Sequence, residues 1–352
     1  MMTPRERVEA VLLKRGADRI PFTVYEYKIP QCEVERKLRN EGLCIVNRGV
    51  GVFRAESPDV AVRSSTYYEN GVFKSRQDIH TPAGDLFTVS IPAGFTSWQE
   101  QKLFKSPDDY KAIEFMIRNR RYFPDYEPFL KAQSMAGNDI IHRAGIGYEP
   151  MQEIIYSYMR LEAFSVEWAE NRDEVLKLYN ALVEDRRKIY PIVARSPALH
   201  ANYGGNVVAE VIGRERFEKY ILPDYQEAAA EMHKHKKLIG SHLDGNTKHI
   251  ADLVAGSSLD YIEAFTPSPD TDMTVKEALD AWPDKVLWIN FPSSVHLQNA
   301  EKIKEKTLEI IEQAKPGNRL IVGITEDVPE DRWQESFTVI LETLNAYGKL
   351  KD

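Results

Sequence analysis

Three side chains stand out for the chemistry that their types and spacing allow: Glu263, Glu277 and His296. The first closes the β-prone run Tyr261-Ile262-Glu263, the second opens a helix-prone stretch, and the third follows Trp288-Ile289-Asn290-Phe291. If those runs are adjacent parallel strands, their ends and the intervening helix start can bring two carboxylates and an imidazole to one ion. Three such ligands leave one position of a tetrahedral zinc open, which is the catalytic rather than the structural pattern. Each residue also has a plainer reading. Glu277 suits a helix start because it complements the helix dipole, Glu263 could be held in a salt bridge, and His296 could be an exposed loop residue.

A second cluster is Ser241-His242-Leu243-Asp244-Gly245. The strand period of two places His242 and Asp244 on one side, at the end of the strand, where they can take part in catalysis; Asp244 could equally make a turn with Gly245. Glu326, after Leu320–Ile324 and Thr325, adds a carboxylate, so His242, Asp244 and Glu326 form the candidate catalytic set. Tyr25, Tyr27, Tyr148, His200, Asn202 and Tyr203 follow other apolar runs and are the candidates for holding a substrate.

These residues share a place only if the elements alternate. Thr3-Pro4-Arg5-Glu6 predicts a capped helix start, followed by a strand over 19–25. Glu69-Asn70-Gly71 and Pro82-Ala83-Gly84 are turn signals and predict an antiparallel β-hairpin insertion at about 58–92. From about 108, helical stretches at 108–118, 126–136, 150–158, 160–169, 171–193, 213–235, 246–255, 274–281, 298–314 and 329–348 alternate with strands. Those strands are 139–145, 197–203, 237–242, 259–263, 285–290 and 319–324. Such alternation implies a parallel sheet. No glycine-rich phosphate fingerprint follows the first strand, which argues against a dinucleotide-binding open sheet. In a parallel barrel, by contrast, the residues named above all fall at the strand C-termini, where such folds build their sites. The chain reads as a single domain over 1–352.

The chain has 352 residues, a net charge of -8 and 28% charged residues, so nucleic acid is not expected as a partner. Two cysteines, Cys32 and Cys44, suit a reducing compartment. The start, Met1-Met2-Thr3-Pro4-Arg5-Glu6-Arg7, is not followed by the apolar run of a signal peptide. No apolar run is long enough to span a bilayer, so no membrane association and a cytoplasmic location are expected.

Several stretches resemble the uroporphyrinogen-decarboxylase-like superfamily: Thr3-Pro4-Arg5-Glu6-Arg7-Val8 with Asp18-Arg19-Ile20-Pro21, Thr81-Pro82-Ala83-Gly84, Phe217 to Tyr225, and His242 to Asn246. The resemblance runs through nearly the whole chain and implies an α/β fold, a (β/α)8 TIM barrel with the antiparallel insertion near the N-terminus. The arginine-rich N-terminal stretch of true decarboxylases is missing from Tyr25-Glu26-Tyr27-Lys28-Ile29-Pro30. Thiol methyltransferases of the superfamily bind zinc through His-x-Cys and a distant Cys. Here Asp244 follows His242, and Thr325 and Glu326 stand near the last position, giving a harder donor set suited to oxygen.

The chain therefore looks most like the substrate:corrinoid methyltransferase component of bacterial O-demethylases. Glu263, Glu277 and His296 match that branch's Glu, Glu, His order, although thirteen and eighteen intervening residues depart from its spacing. His242 or Glu326 could replace Glu277. The resemblance implies zinc, an aromatic methyl ether as donor, and a corrinoid (cobalamin) delivered by a separate corrinoid-binding protein. It leaves a homodimer open. The alternatives are another methyl donor (methylamine, betaine or thiol), uroporphyrinogen decarboxylation, or a non-catalytic binding protein.

Overall fold

The computed structural model describes residues 2–93 and 96–350, which fall into two compact units. The first comprises residues up to Val52, Asp125–Gly147 and the chain from Val193 onward. Its parallel strands are, in ring order, Phe22–Tyr25, Leu43–Asn47, a broken strand, His200–Tyr203, Leu238–Asp244, Tyr261–Phe265, Val286–Asn290 and Leu320–Ile324. The broken strand consists of Ile140–His142, which pairs with Leu43–Asn47, and Ala144–Gly147, which pairs with His200–Tyr203. Arg143 lies at the break. Pairing of Phe22–Tyr25 with Leu320–Ile324 completes the ring, a (β/α)8 barrel.

The strands are short and almost wholly buried because helices cover them outside and side chains fill them inside. Tyr25, Cys44, Val46, Ile141, Tyr261, Val286, Trp288 and Ile321 pack together, and Val8, Val11 and Leu12 of the first helix join the same cluster. The interior is tight enough to dictate a glycine. A Cβ on Gly240 would lie 2.2 Å from the ring of Tyr261, so only glycine lets that ring cross the barrel. The predicted N-terminal cap is present: Thr3 and Glu6 form a reciprocal capping box on the helix Pro4–Leu12.

The strand set differs from the sequence-based expectation in one place. The helix Glu33–Glu41 and the strand Leu43–Asn47 supply the βα unit that brings the strand number to eight. The helix is dominated by charge and buries little besides Leu38 and part of Glu35, so its apolar periodicity is faint. Its end was visible in principle at Gly42, whose φ of 123° suits glycine.

The second unit comprises Phe53–Pro124 and Tyr148–Ile192. The antiparallel element expected at about 58–92 is here a four-stranded sheet of Ala61–Glu69, Val72–Thr81, Gly84–Ala93 and Thr96–Gln101. The first turn has Asn70 and Gly71 both at positive φ, the backbone a two-residue hairpin requires. Helical segments Tyr110–Arg118, Pro150–Glu153, Ile154–Met159 (a π-helix) and Leu161–Glu170, most of the long helix Arg172–Ala194, and the antiparallel pair Phe53–Glu56 and Arg121–Pro124 belong to the same unit. No helix among the described residues is long and apolar enough to cross a membrane.

Candidate active site

The site begins with a backbone irregularity. Glu263 pairs in register with His242 on one side and Trp288 on the other, but the register then shifts before Phe265. The intervening Ala264 has φ 61°, a conformation that costs a non-glycine residue energy. A bulge of this kind re-aims the neighbouring side chains. Here it accompanies a glutamate with no solvent exposure, and buried charges persist only when they are paired and hydrogen-bonded.

Glu263 has four donors. Tyr25 Oη and Arg143 Nη1 donate to Oε1. Asn202 Nδ2 donates to Oε2 at 2.7 Å, and His242 Nδ1 lies 3.1 Å from the same oxygen. Four donors use the acceptor sites a carboxylate offers. Burial opposes ionisation of Glu263, but the Arg143 charge and the bonds from His242 and Tyr25 outweigh it, so the carboxyl is held well below the usual range. For Tyr25, burial dominates and the phenol stays protonated.

The network continues outward. The far nitrogen of His242, Nε2, is 3.2 Å from Asp244 Oδ1. Burial disfavours the charged ring, yet its bonds to Asp244 and Glu263 push its pKa up to about 9. His242, Asp244 and the exposed Glu326 each offer a donor atom, and these atoms lie within 4.8 Å of one another. Among the described residues this is the group of three or more such donors close enough for one ion.

The structure does not bring Glu277 and His296 together with Glu263 in that way. Glu277 is half-exposed and closes a capping box: Thr274 N and Oγ1 donate to it at 2.8 and 2.9 Å, and Lys248 pairs with it at 3.1 Å. The backbone bond from Thr274 and the pairing with Lys248 pull its pKa down to about 2. The capping role noted for a glutamate at a helix start is therefore the geometry found. His296 is buried, not exposed. Its Nδ1 lies 2.6 Å from Ser336 Oγ, its ring packs against Phe291 and Phe337, and burial pushes its pKa down to about 4.

The other candidates are scattered. Tyr25 and Asn202 belong to the Glu263 network, and Asn202 Oδ1 is buried without a hydrogen-bond partner. His200 is fully buried beneath the site; Nδ1 is 3.0 Å from Tyr261 Oη, and burial pushes its pKa down to about 3. Tyr203 is also in the core, with its ring against Tyr225. Tyr27 is 77% exposed, and Tyr148 belongs to the second compact unit with its ring against Tyr156. Sequence reasoning missed Arg143. Its signal was an arginine within the otherwise uncharged run Ile140-Ile141-His142-Arg143-Ala144-Gly145-Ile146, where only a buried partner makes a guanidinium tolerable.

With this geometry in hand, the comparisons with known proteins are consistent. Residues 203–347 match the uroporphyrinogen decarboxylase family model. A methyltransferase from Methanosarcina mazei has a similar structure, with TM-score 0.58, 10% identity and 99% of each chain covered. At that identity the likeness is one of fold. The Bacillus megaterium spore cortex-lytic enzyme SleL aligns at TM-score 0.36 and 10% identity over 92% of this chain and 74% of its own, too distant to carry an argument. No curated protein matches the sequence significantly.

Proposed function

We propose that this barrel, of which residues 203–347 match the uroporphyrinogen decarboxylase family model, is a zinc-dependent methyltransferase. It takes the methyl group of an aromatic methyl ether and passes it to Co(I) of a corrinoid carried by a separate protein. The observation that carries the reading is the donor set His242, Asp244 and Glu326, backed by Glu263.

That set fits zinc. It contributes one imidazole nitrogen and two carboxylates at the C-terminal mouth of the barrel, leaving a position for substrate. Glu263 takes the other ring nitrogen of His242, the carboxylate–histidine support that metal-binding histidines ordinarily have. Oxygen-rich ligation makes a harder ion than thiolates would, which suits an ether oxygen better than a thiol. Zinc, when bound, supplies a Lewis acid that stabilises negative charge on the leaving oxygen.

The protein's own groups do the rest. Glu263, Tyr25 and Arg143 fix His242 from below. Asn202 has its amide nitrogen tied to Glu263 and its carbonyl oxygen buried without a partner, so it can accept a hydrogen bond from a polar group of the substrate. The methyl carbon leaves without the electron pair of its C–O bond, which stays on oxygen. Co(I) supplies the pair for the new bond, and the phenolate takes a proton from water.

A metal-free variant has one observation in its favour. His242 between Glu263 and Asp244 is charged near neutral pH, and an imidazolium could donate a proton to the leaving oxygen. Zinc content separates the two. Elemental analysis should find about one zinc per wild-type chain and little in His242→Ala, with methyl transfer from an aryl methyl ether to reduced corrinoid protein depending on it. A wild type that stays free of zinc in excess metal, yet turns over, would move the reading to the imidazolium. Absence of both zinc and turnover would reject methyl transfer from such ethers.

A further inference from the structure

The four-stranded sheet of the second unit has two edges, and they are finished differently. At the edge strand Thr96–Gln101, Arg160 donates to the carbonyl oxygens of Gln99 and Glu100. The other edge strand, Ala61–Glu69, has no neighbour on its outer side among the described residues. It is nine residues long, pairs with Val72–Thr81 without a bulge, and contains no proline. Every residue in it except Tyr67 is exposed, including Val62 and Tyr68. Natural sheets blunt such edges with short strands, prolines, bulges or a cover, and this one has none of them. We infer that it is the interface of a homodimer. Two copies of Ala61–Glu69 pair antiparallel about a two-fold axis through Thr66, joining their sheets into one.

The register follows from the turn. The two-residue loop Asn70-Gly71 sets Glu69 against Val72, and a tight hairpin of this kind is closed by a hydrogen-bonded pair. Hydrogen-bonded and open pairs alternate along an antiparallel ladder. Glu69, Tyr67, Ser65 and Arg63 therefore spend their backbone groups on Val72–Thr81. Val62, Ser64, Thr66 and Tyr68 point theirs outward. An axis through Thr66 pairs outward residues with outward residues: Thr66 with Thr66, and Ser64 with Tyr68.

The same axis sets Arg63 of each copy opposite Glu69 of the other. These are non-hydrogen-bonded positions, where facing side chains come closest. The charges there suit a second copy. Lys74 already lies 2.7 Å from Glu69 and 2.6 Å from Glu100, so one ammonium serves two carboxylates and negative charge is left over. Asp78, the cross-strand neighbour of Arg63, is paired with Arg76 at 2.7 Å. A guanidinium from the second copy balances the first group. Parallel in-register stacking, by contrast, would set Arg63 on Arg63 and Glu69 on Glu69, so the end charges favour a closed antiparallel pair over an open stack.

The test is sedimentation velocity of the full chain over a concentration series of about 1–100 µM, since a contact confined to one strand edge is small. Wild type should shift from monomer to dimer across the series. Thr66→Pro removes an outward N–H and no bond to Val72–Thr81, so it should stay monomeric throughout. Arg63→Glu and Glu69→Arg, each alone, set like charges together at both ends of the interface and should weaken association by about 10-fold or more. Mixed in equal amounts, the two variants regain both opposite-charge pairs and should form heterodimers about as tightly as wild type. The mixture also guards against a Thr66→Pro chain that fails to fold. A wild type that remains monomeric, a dimer indifferent to Thr66→Pro, or a mixture that associates no better than its separate components would overturn the proposal.

Discussion

Two buried ionic networks, one in each compact unit, are built from similar parts. In the second unit, Asp185 has a fully buried side chain and accepts from Tyr122 at 2.7 Å, Arg120 at 3.2 Å and Arg186 at 3.3 Å. Glu153 beside it accepts from Tyr158 and Arg186. In the barrel, Glu263 accepts from Tyr25, Arg143, Asn202 and His242. Both networks compensate the burial of carboxylates with arginine and tyrosine. The difference lies in what comes after the carboxylate. Asp185 and Glu153 are bonded to side chains that hold one charge state at ordinary pH. Glu263 is bonded to an imidazole whose second nitrogen leads to a half-buried Asp244 and an exposed Glu326. A closed network ties elements together. One that ends in a titratable ring and open carboxylates can also bind and react.

The comparison can be broken in order of expected effect. Asp185→Ala should leave Arg120 and Arg186 with Glu153 as their one remaining shared carboxylate and cost about 3–5 kcal/mol of unfolding free energy in urea, while the surviving folded protein keeps its zinc. His242→Ala should do the opposite, losing zinc and about 10²–10³-fold in turnover, with a smaller change in stability when measured at about pH 9, where the His242 charge has ceased to contribute. If the two variants lose stability and zinc in parallel, the division of labour is wrong.

The pH dependence of stability in the metal-free protein comes next. Burial alone would lower the pKa of His242, but its bonds to Asp244 and Glu263 raise it to about 9, above the unfolded value of about 6.5. A raised folded pKa contributes stability that is fully present below the unfolded value and is lost as pH rises to the folded one. Chemical denaturation should therefore show a loss on the order of 3 kcal/mol between about pH 6.5 and 9, absent from His242→Ala. The network around Asp185 contains no histidine and should contribute no such slope.

The smallest effects sharpen the ligand set. Glu277→Ala should leave zinc content unchanged and lower the melting temperature slightly, because it removes only a cap and a surface pair. His296→Ala should also keep its zinc. Loss of zinc from either would restore the set Glu263, Glu277 and His296 suggested by residue order.

Much of the barrel was readable because its signals are local. Alternating apolar runs and helical stretches marked seven strands, Thr3 and Glu6 marked a cap, and Asn70-Gly71 marked a hairpin. The strand Leu43–Asn47 was not read because five residues after a charge-rich helix carry little periodicity. The site was readable only as a roster. His242, Asp244 and Glu326 lie at strand ends, so the barrel rule put them among the candidates. The rule could not tell which strand-end carboxylate meets which imidazole. Glu277 satisfies its local capping geometry whatever the tertiary fold, whereas Arg143 acquires a purpose only when the ring closes and sets it against Glu263.

The sequence by itself determined the elements, their order and the pool of residues at the barrel mouth, since propensity, capping and hydrophobic period act over a few residues. Tertiary structure decided the partners. The hydrogen bonds that make Glu263 a support for His242 come from Tyr25, Arg143, Asn202 and His242, spread over more than two hundred residues of chain. A carboxylate with four buried donors and one left open at the mouth have the same side-chain chemistry, and only the closed barrel gives them different work.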